Sequence, residues 1–498
     1  MPTRPEKPWY RPRNVALMLL AVFVVWVFSE VFRGLNARPG GTINYGQKMV
    51  RLVESYQKDA PADDPDAWPI LLDLIDRYAE VEAEYEPPPG ADQPAIRYDL
   101  IFDPPRLDPD EDYDAIERKA FEDERIIAAQ SLEALGVLAE RGVFDLQQRI
   151  AQTRRGVRPA QPGHLIDWLL PELGPARNVA RAGAARMYLA HKAGDDEDVV
   201  PAFEQTLALG RVIGSQSTLI DHLVGIAIIS LATQELRSQI IERPPDADTL
   251  GELLAAMDRQ LPLPPIALPL EGERLFVMDT IQWTHTDNGH GNGRLILSAA
   301  RSFRSFSQTP PPMGGSWINI GSIAFASKKQ TTRRANEFYD GVVGLSRLPP
   351  GQRARSGFDA DSFINRLSYR YTLLKTMLPA ISHAMQARDQ MDLSVAGTRL
   401  MLGIELYRAR TGDYPRSLDD LTRAILEELP TDPYAPDGRF GYRRLARDED
   451  PLGRAYLLYS VGADGEDNDA ATDESRPLKG IRSPDKGGLD FIINRPRQ

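Results

Sequence analysis

The chain has 498 residues and a net charge of −12, and it has no cysteine. Its length points to about three units of ordinary domain size, and its 42% apolar and 26% charged residues are globular values. The missing cysteines exclude disulfides, thiolate metal sites and cysteine nucleophiles. The acidic balance, with stretches such as LDPDEDYD at 107–114, argues against a nucleic-acid partner, which needs a basic face.

Residues 1–13 carry Arg4, Lys7, Arg11 and Arg13, and the run VALMLLAVFVVWVF follows from Val15 to Phe28. Extended to Phe32 this run spans about 27 Å as a helix, enough for a bilayer core with its ends snorkelling. The expectation is an uncleaved membrane helix at 14–33, with a cytoplasmic tail at 1–13 and the bulk outside. No small-x-small cleavage site follows the run, which argues against a signal peptide. A later apolar stretch, LVGIAIISLA at 223–232, follows Asp221 and His222 and reads as a buried helix.

Residues 34–115 are expected to hold juxtamembrane helices at Tyr45–Tyr56 and Pro69–Glu84, then an acidic, proline-rich linker with a short strand at Ile96–Phe102. Residues 116–389 read as an α-helical domain, a bundle or solenoid of stacked helix pairs, with a turn at Gly194. Predicted helices include Asn178–Lys192, Ala335–Val343 and Ser362–Arg388, with a helical turn at Asp167–Leu170. The stretch 180–211 resembles a tetratricopeptide-like helix pair, and an irregular bundle fits it equally. A flexible insertion is predicted at 284–335, rich in Gly, Asn and Pro, with basic runs from Arg294 to Arg304 and in KKQTTRR at 328–334.

Residues 390–498 form a separate pattern. Leu393, Ala396, Leu400, Ile404 and Tyr407 share one helical face up to a stop at Gly412. YPRSLDDL then offers capping-box spacing at Ser417 and Asp420. DPY leads toward a first strand, YLLYSVGADGEDND holds a second, and GLDFIIN a third. In that order these motifs resemble the soluble head of the major pseudopilin of bacterial type II secretion. The resemblance implies a helix packed on a small antiparallel sheet, with calcium near the last strands. The family's ligand positions map onto Asp464 and Asp490. Calcium takes six to eight oxygens, and carbonyls at Val461 and Gly462 with carboxylates at Asp467 and Asp469 complete the expected set; the residues without the resemblance read as a solvated acidic hairpin. The spacing of DGEDNDAAT excludes an EF-hand, and the membrane segment lacks a pseudopilin leader, so a filament subunit is not expected.

Other chemistry is sparse. His285, Asp287 and His290 read as an exposed loop, with a zinc or iron site as the alternative, and His222 reads as a core histidine donating to Asp221 or a backbone carbonyl, with a catalytic pair as the alternative. No nucleophile elbow, phosphate loop or dinucleotide fingerprint occurs. The expected class is mainly α with a C-terminal α+β head. The expected role is extracytoplasmic binding or scaffolding with a protein partner in the cell envelope, beside a secretion or pilus-like assembly. The rival is an anchored, hydrolase-like enzyme with its site in the helical domain or the 284–335 insertion.

Overall fold

The computed structural model describes residues 18–26, 28–29, 39–61, 63–84, 131–287, 292–296, 324–353, 355–378, 381–446, 450, 453–462, 465–470 and 490–495. The expected tail at 1–13, the linker with its strand at 96–102, His290 and Asp464 lie outside the described residues. The described residues are mainly helical, with one small antiparallel sheet among them. Residues 18–26 and 28–29 are helical, and their apolar side chains lie open, from 43% exposed at Val24 to 72% at Phe28.

The helices form where periodicity and caps coincide. Helix α1 (Tyr45–Tyr56) starts at Asn44, whose side chain accepts the Gln47 N–H and satisfies one of the free first-turn donors. Helix α2 (Ala67–Glu84) buries Trp68, Leu71, Leu74, Ile75, Tyr78 and Val81, a stripe at helical spacing. Residues 131–140 and α3 (Val143–Ala151) pack with α2 and α4 (Leu173–Ala193) around one apolar core. Helix α4 stops at Gly194, where φ is +77°, a conformation that glycine adopts without a Cβ penalty. Next come α5 (Asp196–Gly214), α6 (Leu219–Glu242) and α7 (Ala247–Gln260), capped by the side chains of Asp195, Thr218 and Asp246. The turn expected at 167–170 is instead a 3-10 turn at Leu165–Asp167.

Helix α6 is the one helix among the described residues that is long and apolar enough to cross a membrane. Here it packs against α4, α5 and α10, with Ile226, Ile229, Leu236 and Ile240 inside the protein. Its crossing with α5 is close because glycines meet there: a Cβ on Gly225 would overlap Gly214 and the Gly210 carbonyl.

A second core gathers α8 (Ala267–Thr284), α9 (Lys328–Ser346), short helices at Ala360–Asn365 and Thr372–Met377, and the first turns of α10 (Ile381–Thr411). Two expectations are corrected here. Helix α9 begins at Lys328, not Ala335, so KKQTTRR belongs to a helix; Ser327 and Gln330 form a reciprocal capping box. The helix expected across 362–388 is broken, because Leu378 precedes a proline and is held extended, with ψ of 119°.

Helix α10 runs unbroken through the boundary expected at 389/390. Ile381, Ala384 and Met385 join the second core, whereas Met391 and Leu400–Leu406 join a third, shared with α5–α7 and the C-terminal strands. The sheet has the order β1 (Gly441–Arg444), β2 (Tyr456–Ser460), β3 (Phe491–Ile492), all antiparallel. β2 is central and wholly buried, and α10 lies against it. The Asn494 side chain extends the ladder, accepting the Leu458 N–H at 3.0 Å and donating to the Tyr456 carbonyl at 2.6 Å.

Candidate functional site

The acidic turn after β2 is built on two buried carboxylates. Asp432, 2% exposed, accepts the N–H groups of Tyr434 at 2.9 Å and Val461 at 3.3 Å. Burial pushes its carboxyl up, and these donors oppose the shift. The second is Asp490, just before β3 and 5% exposed, which accepts N–H groups from Asn468 at 3.1 Å and Ala470 at 2.6 Å. Asp469 and Ala470 hold φ of +56° and +62°. Left-handed backbone costs non-glycine residues on the order of 1 kcal/mol or more each, and the contacts to Asp490 help to offset it.

Between these anchors stands Tyr459, 7% exposed, whose hydroxyl donates to Asp467 at 3.1 Å. Its ring crosses the paired position Gly441, where any Cβ would overlap it. Burial, then the hydrogen bond to Asp467 and the charges of Asp467, Asp490 and Asp469, push the phenol up to about 12. Burial likewise raises Asp490, with Asp467 adding to the rise and the Ala470 and Asn468 N–H groups opposing it.

The structure therefore places Asp467 on the Tyr459 hydroxyl and Asp490 on the peptide groups of Asn468 and Ala470. Val461 is tied to Asp432, and the Gly462 carbonyl accepts the Gly465 N–H at 3.2 Å. Among the described residues no three His, Asp or Glu side chains converge closely enough to hold a metal ion, and Asp464 is not among them. The donor types suit a hard cation, being oxygen throughout. A carboxylate has about four lone-pair directions, so Asp490 keeps capacity beyond its two peptide donors. The sequence signal for Asp432 is its DPY setting, an Asp two residues before a turn N–H.

The histidines are differently placed. His222 is fully buried; its Nδ1 lies 2.8 Å from the Gly214 carbonyl and its Nε2 3.4 Å from the Arg388 guanidinium. An arginine can only donate, so Nε2 accepts and Nδ1 carries the proton. Burial first, then the Arg388 charge, lower this imidazole to about 4. Asp221 does not face it as a catalytic partner, being clamped instead by Arg158 at 2.7 Å and Thr218 at 2.6 Å. His285, 1% exposed, bonds the Ile281 carbonyl through Nδ1 at 3.0 Å, and burial lowers it to about 4. Asp287 pairs with Lys328 at 2.8 Å. The exposed loop expected here is corrected at His285, whose imidazole is a buried structural group, and the alternative of a metal pair loses support because the Asp287 carboxylate already has a cation.

No known family model matches the chain, and no curated protein or solved structure shows detectable similarity to it.

Proposed function

We propose that the protein is a single-pass, membrane-anchored binding or scaffolding protein of the cell envelope, with its N-terminus cytoplasmic and its bulk extracytoplasmic. The observation that carries this reading is the open apolar helix at 18–26 and 28–29, where Met18, Leu19, Leu20, Phe23 and Trp26 all stand exposed. Each apolar side chain left in water forgoes roughly 1.5–3 kcal/mol of burial, and a bilayer removes that cost along a helix of this hydropathy. Basic residues before the run favour a cytoplasmic tail.

The C-terminal module serves in this reading as a pseudopilin-like head, stabilised by calcium at the turn after β2. Its support is the arrangement of α10 on a three-stranded antiparallel sheet, with Asp467 and Asp490 flanking Tyr459. Binding or scaffolding is favoured over hydrolysis because both histidines on which an enzyme reading rests are buried and hydrogen-bonded.

Cell fractionation with an alkaline carbonate wash tests the anchor. The full chain stays with the membrane pellet, and a chain lacking residues 1–38 is released. Extraction of the full chain by carbonate would remove the proposal.

A further inference from the structure

Helix α9 starts in a stretch of unusual charge. Residues 288–336 contain seven Lys or Arg and no Asp or Glu, in a chain whose net charge is −12. Four of those cations fall in the first two turns of α9, as Lys328, Lys329, Arg333 and Arg334. Lys328 is engaged by Asp287 and the Gly40 carbonyl. The other three turn toward a cleft of about 400 Å³ between α9 and residues 366–371, where Arg366, Ser368 and Tyr371 form the facing wall.

The cleft is held in shape by specific contacts. The Ala326 N–H donates to the Arg370 carbonyl at 2.9 Å, tying the entry of α9 to the 3-10 turn Tyr369–Tyr371. The Arg334 guanidinium lies 4.6 Å over the Phe363 ring and donates to Glu337 at 2.6 Å. Arg333 donates to the same carboxylate at 3.0 Å. Glu337 thus serves two guanidiniums with one charge. Lys329 and Arg366 form no ion pair among the described residues.

Four cations around one cavity repel each other, and an anion entering between them relieves that repulsion. Guanidiniums present a planar fork that matches phosphate oxygens in pairs, and lysine adds a point charge. The volume falls in the range of small-ligand sites. We propose that this cleft binds a phosphate-bearing ligand, gripped by Lys329, Arg333 and Arg366, with the Ser368 and Tyr371 hydroxyls available to its remaining oxygens. The same chemistry is offered by a free phosphate compound and by a phospholipid headgroup.

Isothermal titration of the full chain in neutral detergent, with inorganic pyrophosphate and separately with a short-chain phosphatidic acid, tests the assignment. Saturable binding that weakens with salt is expected, reduced about tenfold or more in the double variant K329Q/R366Q, which loses two charge-assisted contacts. R410Q, at the far end of α10, is the matched control and keeps full affinity. Pyrophosphate binding identifies a free phosphate ligand, and binding of phosphatidic acid alone identifies a lipid headgroup. Absence of saturable binding to both, or affinity unchanged in a folded K329Q/R366Q protein with the same melting temperature, overturns the proposal.

Discussion

Both terminal nitrogens of Arg158 reach the Asp221 carboxylate, each at 2.7 Å, in a site where Arg158 is 6% and Asp221 0% exposed. Glu172 bonds the same guanidinium, and the Trp68 ring lies 4.7 Å beneath it. Burial opposes the charge on Arg158, but Asp221 and Glu172 outweigh it and hold the group above its ordinary value. The cluster joins the loop before α4 to the first turn of α6. Replacing Arg158 with Met leaves two buried carboxylates without their cation, a loss on the order of 3–5 kcal/mol. Urea denaturation of R158M should show the midpoint falling accordingly, and Asp221→Asn, which keeps its shape, should cost less.

Stability should depend on pH through His222. Its folded pKa is about 4 against an ordinary 6.5, so between those values the unfolded chain binds the extra proton. The contribution is complete above pH 6.5 and declines as pH falls to 4, in total about 3 kcal/mol. Buried carboxylates with raised pKa, such as Asp389 and Glu405, act in the opposite sense, so the readout is a difference. The H222Q variant should give a shallower stability profile than the parent across this window, and parallel profiles would refute the assignment.

The close crossing of α5 and α6 predicts a sharp contrast between two glycines. Gly225→Ala forces a methyl into Gly214 and the Gly210 carbonyl and should destabilise by about 1–3 kcal/mol. Gly251, in α7, has open space around its would-be Cβ. Gly251→Ala should be neutral or stabilise by up to about 1 kcal/mol, since alanine is the better helix former. Thermal melts of the two variants compare these effects directly.

Calcium should raise the melting temperature of the full chain if the turn after β2 holds it. At about 100 times its dissociation constant an ion adds roughly 2.7 kcal/mol. The gain should vanish with chelator and in the D467N/D490N variant. Identical melting in calcium and in chelator would remove the ion from the account.

Much of the helical architecture is legible in the sequence, because α1 and α2 each carry a one-sided apolar stripe and α10 ends at the stop signal Gly412, whose φ is +84°. Helix α9 is harder to see because its first turns are polar; the Ser327–Gln330 pair was the legible sign. The N-terminal half of α10 is obscured because different faces serve different cores, so no single stripe persists. At the acidic turn the sequence locates the carboxylates, but not that Asp490 spends its oxygens on the peptide groups of Asn468 and Ala470. That depends on left-handed backbone at 469 and 470, which no side-chain pattern announces.

With 31 residues, α10 reaches about 46 Å from end to end, a single rod threaded through two apolar interiors. Neither interior can melt without stripping one end of that rod, so loss of order in one should pull down the other in a single step. A fragment cut at residue 390 would sever the rod and leave the strands resting on a stub. Any transplant of the C-terminal portion into another chain therefore has to start upstream of Ile381.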